Sequence, residues 1–277
     1  MPKIAAAPRS SVRKRARRSL TPAEALHLPD LEYLKNLELP EGDGEPLESD
    51  WHVVQIWLLQ EVVGQLLEGR TDFFCGGNMF IYYSLEQAES AIKGNPLYKG
   101  PDFFLVKEVD GTKPRKSWIV WQEQGKYPNL IIELLSPTTA QKDRESNKAL
   151  YAKVFRTPEY FWYDAFTGEF AGFCLQEEEY VPITPNEQGW LWSHQLGAYL
   201  GVWEGAYHRR VYRWLRLYTT EGELVPTKAE LYQQALQRAE AERQRAEAER
   251  QRAEAERQRA EQLAQRLREL GVDPDTL

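Results

Sequence analysis

The sequence predicts an α/β protein that ends in a long charged helix, and three observations predict it. An apolar helical period over 51–67 is followed by short aromatic and β-branched runs separated by turn residues. A polar helical stretch at 141–155 interrupts those runs. The chain then closes on a heptad, AEAERQR, that occurs three times in succession at 239–259.

Taken in order, the first 20 residues carry seven basic side chains and no acidic one, whereas the whole chain of 277 residues has a formal charge of −7. This tail lacks a core-forming pattern and is expected to be disordered. It also lacks the apolar stretch of a secretory signal. No run of about 18 apolar residues is present, which excludes an ordinary transmembrane helix. Two cysteines, Cys75 and Cys174, are too few for a disulfide framework and point to a reducing, cytoplasmic setting. Residues 21–50 are rich in Pro, Glu, Gly and Leu and read as a loop-rich lead-in. The segment WHVVQIWLLQEVVGQLL reads as an amphipathic helix, with Ser49 or Asp50 as its cap. Four strands are expected next, in DFFCGGNMFIYYS, GPDFFLVKEVDG, SWIVWQEQG and NLIIELLS, with DGTKPRK as turn chemistry between the second and third. After the polar helix, EYFWYDAFTGEFAGFCLQEEEYVPI suggests three more strands, one hairpin being marked by Thr167-Gly168. The aromatic section 189–218 completes a core or an interface.

The terminal helix is expected to start at Thr227, where TKAE makes a capping box with Glu230, and to stop at Gly271. Opposite charges recur at helical spacing, as in Glu242 with Arg245 and Arg243 with Glu247. Ala239, Ala246, Ala253, Ala260 and Leu267 line one heptad position, but Glu, Arg or Gln stand at the neighbouring seam positions of the first three. Two readings therefore stay open, a solvated charged helix and an Ala-rich helix that joins copies into a homo-oligomer. The expected organisation is a basic tail at 1–20, a main domain at 21–222 and the charged helix at 227–270.

Two carboxylates stand out. Glu133 lies inside the apolar run LIIELL, where burial is costly unless a partner or a metal compensates. Strand alternation puts it on one face with Asn129, Ile131 and Leu135. Asp102 opens the earlier strand PDFFLV. Should the two meet at adjacent strand ends, their charges repel, and a divalent cation is the natural remedy; hard oxygen ligands suit Mg²⁺ or Mn²⁺.

GPDFFLV followed by PNLIIELLSPTTAQKDRESNKALYAKVFRTPEYFWYD resembles the Uma-type restriction endonuclease family, a branch of the PD-(D/E)xK nuclease superfamily. The likeness runs from about residue 45 to 205, and the ordered series PD, E-x-x-S, D, K, Y, EYxxxD carries it. It implies a restriction-endonuclease-like core, a central mixed sheet flanked by helices, and metal-dependent cleavage of phosphodiester bonds in DNA. On this resemblance Asp102 and Glu133 are metal ligands. The lysine expected two residues past the glutamate is replaced by Leu135, which cannot orient a water.

The resemblance moves that lysine to the following helix, which offers Lys142 and Lys148. A helix beginning at Ser136 would carry Lys148 about 18 Å along its axis, beyond the reach of the side chain. A start near Asp143 reduces the rise to about 8 Å, and the family pattern of Asp143, Lys148 and Tyr151 selects Lys148. Glu48, with Glu45 as the alternative, is the candidate for a further acid from the first helical region. His52 reads as structural, Ser136 as a turn or cap hydroxyl, and Asp143 as either a helix cap or a partner of Lys148. The expected function is a Mg²⁺- or Mn²⁺-dependent DNA endonuclease with Asp102, Glu133 and Lys148 as its catalytic residues. The basic tail would add salt-sensitive phosphate attraction. The rival is a nuclease fold that no longer cuts and acts as a scaffold through its terminal helix.

Overall fold

The computed structural model describes residues 49–92, 100–136 and 140–270. The basic tail, the lead-in with Glu45 and Glu48, and the expected helix stop at Gly271 lie outside the described residues. The chain divides into two compact units, one of Met1–His52 and Thr71–Ile183, the other of Val53–Arg70 and Thr184–Leu277.

Helix α1 (Asp50–Leu66) runs from the end of the first segment into the second unit. Ser49 caps it, its hydroxyl accepting the His52 N–H at 3.4 Å. The helix is less one-sided than its sequence suggests, because Val54, Ile56, Leu58, Leu59, Val62 and Val63 are all buried and spread over more than half of its circumference.

In chain order the first unit carries β1 (Phe73–Gly77), β2 (Ile81–Tyr82), α2 (Leu85–Ile92), β3 (Phe103–Lys107), β4 (Trp118–Ile119) and β5 (Leu130–Leu134). A helical segment, α3 (140–155), follows, and then β6 (Glu159–Tyr163), β7 (Phe170–Gln176) and β8 (Glu179–Pro182). Six strands make one mixed sheet in the order β1-β3-β5-β6-β7-β8. All neighbours are antiparallel except β5 and β6. A parallel pair needs a long crossover, which α3 supplies. All five residues of β5 and of β6 are buried, as expected of central strands covered on both faces.

The expected third strand is cut short. Only Trp118 and Ile119 are extended; they pair in parallel with β2 outside the main sheet, and a tight 3₁₀ turn occupies Val120–Gln122. Trp118, Val120 and Ile81 pack with Phe104, Ile131, Leu135, Tyr151 and Phe155 in one apolar cluster. That cluster fills the sheet face which also bears Glu133. At the β6–β7 turn Gly168 takes a positive φ of 81°. The Asp164 carboxylate accepts the N–H groups of Phe166 and Thr167 there.

The second unit carries β9 (Leu191–Ser193), β10 (Ala198–Tyr207), β11 (Arg210–Tyr218) and α4 (Lys228–Glu269). Its antiparallel sheet has the order β11-β10-β9. Gln55 of α1 is locked to Leu215, donating to its carbonyl at 3.0 Å and accepting its N–H at 2.9 Å. Helix α4 opens with the expected capping box of Thr227 and Glu230. Its first turn is anchored by Arg216, fully buried, which bonds Glu230 at 2.9 Å and the Val225 carbonyl at 2.8 Å. Beyond that turn the helix is exposed along its length apart from the half-buried Ala264 and Leu267, and it carries the ion pairs Arg243 with Glu240 and Arg257 with Glu261.

Candidate active site

The register of β3 and β5 determines the geometry. Phe103 lies opposite Ile132, so Asp102, one residue before β3, reaches Glu133 on the neighbouring strand. The two residues interlock. The Asp102 N–H donates to Glu133 Oε2 at 3.1 Å, and the Leu134 N–H donates to Asp102 Oδ2 at 2.7 Å. Each carboxylate thus occupies a backbone donor at the end of the other's strand, which offsets part of the cost of placing two negative charges together.

The second oxygen of Glu133 faces α3. Tyr151 donates its hydroxyl to Glu133 Oε1 at 2.7 Å, and the Asn147 amide approaches the same atom at 3.4 Å. Asn147 also donates to the Asp143 carboxylate, and the Tyr160 hydroxyl donates to the Asp143 carbonyl at 3.0 Å. Asp143, Asn147 and Tyr151 recur every four residues, so one helix face presents all three. The helix is not regular there; Asp143–Asn147 and Tyr151–Phe155 are wider π turns flanking a short α-helical piece, Lys148–Leu150. Such turns often mark functional positions. Burial, together with the charge of Glu133, pushes the Tyr151 hydroxyl well above its ordinary range, and Tyr160 shifts the same way for the same reasons. Both therefore remain protonated donors at neutral pH.

Lys148 projects from the same helix toward β6 and β7. Its Nζ lies 3.3 Å from the ring centroid of Phe173 and 5.3 Å from that of Trp162. Trp162 is the register partner of Glu133, so the ammonium lies over the strand beside the glutamate. It makes no ion pair with a described residue. Partial burial lowers its pKa from 10.5. Lys142 is exposed at the start of α3. The helix begins at Ala140, between the two starts considered from sequence, and Leu135 is fully buried in the apolar cluster.

His52 is buried and bonded at both ring nitrogens. Nδ1 meets the Ser49 hydroxyl at 2.8 Å and Nε2 meets the Leu134 carbonyl at 3.0 Å. A carbonyl only accepts, so Nε2 carries the proton. Leu134 is thereby held at both of its backbone groups, by His52 at its carbonyl and by Asp102 at its N–H. Ser136 is buried at the end of β5 and accepts the Ala140 N–H through its carbonyl, as a turn residue does.

Sequence reasoning singled out Asp102, Glu133 and Asp143 but not Asn147 or Tyr160. The four-residue spacing of Asp143, Asn147 and Tyr151 was the available signal. Among the described residues no three His, Cys, Asp or Glu side chains converge as a metal-holding group. The chain therefore presents a pair of carboxylates, a donor set that fits a hard cation which keeps much of its water, as Mg²⁺ does.

Among solved structures the chain is similar to a DUF820 protein from Anabaena variabilis described as a putative nuclease, with 14% identity, a TM-score of 0.39, and coverage of 64% of this chain and 90% of that one. No curated protein matches it. No described helix is long and apolar enough to cross a membrane. The Uma2 family, described as "Putative restriction endonuclease", matches residues 22–211, which is more than half of the chain. The protein therefore belongs to the Uma2 family.

Proposed function

We propose that the protein is a divalent-metal-dependent DNA endonuclease whose centre is the Asp102–Glu133 pair. The observation that carries this reading is the interlock of the two carboxylates at adjacent strand ends, Asp102 N–H to Glu133 Oε2 and Leu134 N–H to Asp102 Oδ2. Asp102 and Glu133 would hold Mg²⁺ or Mn²⁺. When bound, such an ion supplies Lewis-acid polarisation of a phosphate oxygen and a lowered pKa for a water.

The chain's own contribution is orientation. Tyr151 and Asn147 fix Glu133 Oε1, backbone N–H groups fix Glu133 Oε2 and Asp102 Oδ2, and His52 holds the carbonyl of Leu134, the residue next to Glu133. Lys148, with its lowered pKa, would leave the Phe173 ring to position the attacking water or take its proton. Its resting place over aromatic rings, with Leu135 buried where a lysine is expected, favours the rival reading, a nuclease fold that has stopped cutting.

Incubation of the purified chain with supercoiled plasmid and Mg²⁺ or Mn²⁺ separates the two. The nuclease reading predicts nicking that falls at least 100-fold in Asp102→Ala, Glu133→Ala and Lys148→Met. Absence of nicking with every divalent metal, or nicking that survives the carboxylate substitutions, overturns it.

A further inference from the structure

β9 pairs with Ala198, Tyr199 and Leu200 alone, whereas β10 and β11 stay paired as far as Tyr207 with Arg210. The two strands therefore run on past the third as a ribbon, which closes on a two-residue turn, His208-Arg209. Both turn residues take a positive φ, 46° and 64°. Strand twist asks for that conformation, and Asn-Gly adopts it at least cost; a His-Arg pair held there gives up stability. From Gly205 to Arg213 the ribbon carries three arginines, a histidine and no acid, in a chain whose formal charge is −7.

The register sorts these side chains by face. Arg210 and Tyr212 lie on one face, paired with Tyr207 and Gly205; Val211 and Arg213 lie on the other, paired with Ala206 and Glu204. Each face thus joins a cation to an exposed apolar group, Tyr212 at 49% and Val211 at 68% exposure, and Arg209 is exposed at the turn between them. The turn braces its own members. Arg210 Nη1 donates to the His208 carbonyl at 3.1 Å, and the His208 ring meets that of Tyr207 edge-on at 4.6 Å. Arg213 contributes least to the local charge, since Glu204 stands directly across the strand pair from it.

We propose that this hairpin tip binds duplex DNA by entering the major groove, with Arg209 and Arg210 on phosphate oxygens. Charge and shape choose the occupant. A cationic tip on an acidic chain suits a polyanion, and the fork of a guanidinium matches phosphate. The major groove admits a two-stranded β-ribbon, where Tyr212 or Val211 has base edges and thymine methyls to rest against. A hairpin that served only to close its sheet would carry the less strained turn. The choice of DNA among polyanions rests on the nuclease reading above.

Fluorescence anisotropy of the full chain with a short labelled duplex, in EDTA so that no cleavage intervenes, tests the hairpin apart from nuclease activity. The parent is expected to bind with a steep loss of affinity as salt rises. Arg209→Glu with Arg210→Glu should weaken binding roughly tenfold or more and flatten the salt dependence, because about two phosphate contacts are gone. Arg209→Lys with Arg210→Lys should keep most of the affinity. His208→Asn with Arg209→Gly should weaken binding while raising the unfolding midpoint, which separates side chains kept for DNA from side chains kept for the fold. Attraction from the basic residues at 1–20 is common to every variant, so differences among them report the hairpin. Glutamate and Asn-Gly variants that bind as the parent does, an Asn-Gly variant less stable than the parent, or single-stranded DNA or RNA bound more tightly than the duplex would overturn the proposal. Plasmid nicking is scored separately. Nicking without hairpin-dependent binding removes this proposal and leaves the nuclease reading; hairpin-dependent binding without nicking does the reverse.

Discussion

Glu133 shows how a charged residue is tolerated inside an apolar strand. Its neighbours Ile132 and Leu134 point away into apolar packing, while the glutamate turns to the face where Tyr151 and Asn147 can reach it. The bond from Tyr151 is the short one at 2.7 Å, and the Asn147 contact at 3.4 Å could not replace it. Tyr151→Phe is therefore expected to destabilise the fold by about 1–2 kcal/mol, since a buried carboxylate oxygen loses its best donor. On the proposed function it also lowers nicking by roughly 10–100-fold through loss of ligand orientation. Thermal unfolding and plasmid assays on the same preparation check the two effects, and a variant unchanged in both would show that Tyr151 does not hold the carboxylate. The acids were legible because a carboxylate amid apolar residues is conspicuous in one dimension. Asn147 and Tyr160 were not, because a neutral amide and a phenol look ordinary in a helix or strand until folding brings them to the same carboxylates.

At the scale of elements, periodicity located most strands and misjudged one. SWIVWQEQG reads as a strand because Trp118, Val120 and Trp121 are apolar, and all three are indeed buried. Apolar pattern reports burial, not backbone pairing, and here the side chains are buried while the backbone turns after Ile119. The capping box of α4 was legible in full, since it is written in four consecutive residues. Its tertiary anchor was not, because Arg216 comes from a strand and lies buried against Glu230. Burial works against the ionised form of Glu230, but bonds from Arg216 and from Thr227 outweigh it and hold the pKa below 4.5. A depressed carboxyl pKa contributes stability that is fully present above pH 4.5 and is lost as pH falls through the lower, folded-state value. Acidification below pH 4.5, through the lower folded-state value, should therefore loosen the start of α4. Glu230→Gln should flatten that dependence while costing about 1–3 kcal/mol at neutral pH, because the buried guanidinium loses its counter-charge. Unfolding midpoints measured from pH 3 to 7 on both chains check this, and parallel pH profiles would refute it.

For the whole molecule, the family was legible because its motif is ordered along the chain, from Asp102 through Glu133 and Asp143 to Asp164, and strand order in the mixed sheet brings the first three of those segments together. What composition could not give is the wide-turned helix α3 that aims its polar face at the sheet, since a π turn differs from an α turn only in pairing each backbone group five residues along instead of four. The central claim is that Asp102 and Glu133 together bind a divalent cation. Calorimetric titration of the full chain with Mn²⁺ tests it most directly. The account predicts one saturable site in the parent that disappears in Asp102→Ala and in Glu133→Gln. A parent that binds no Mn²⁺, or variants that bind it as the parent does, would contradict it.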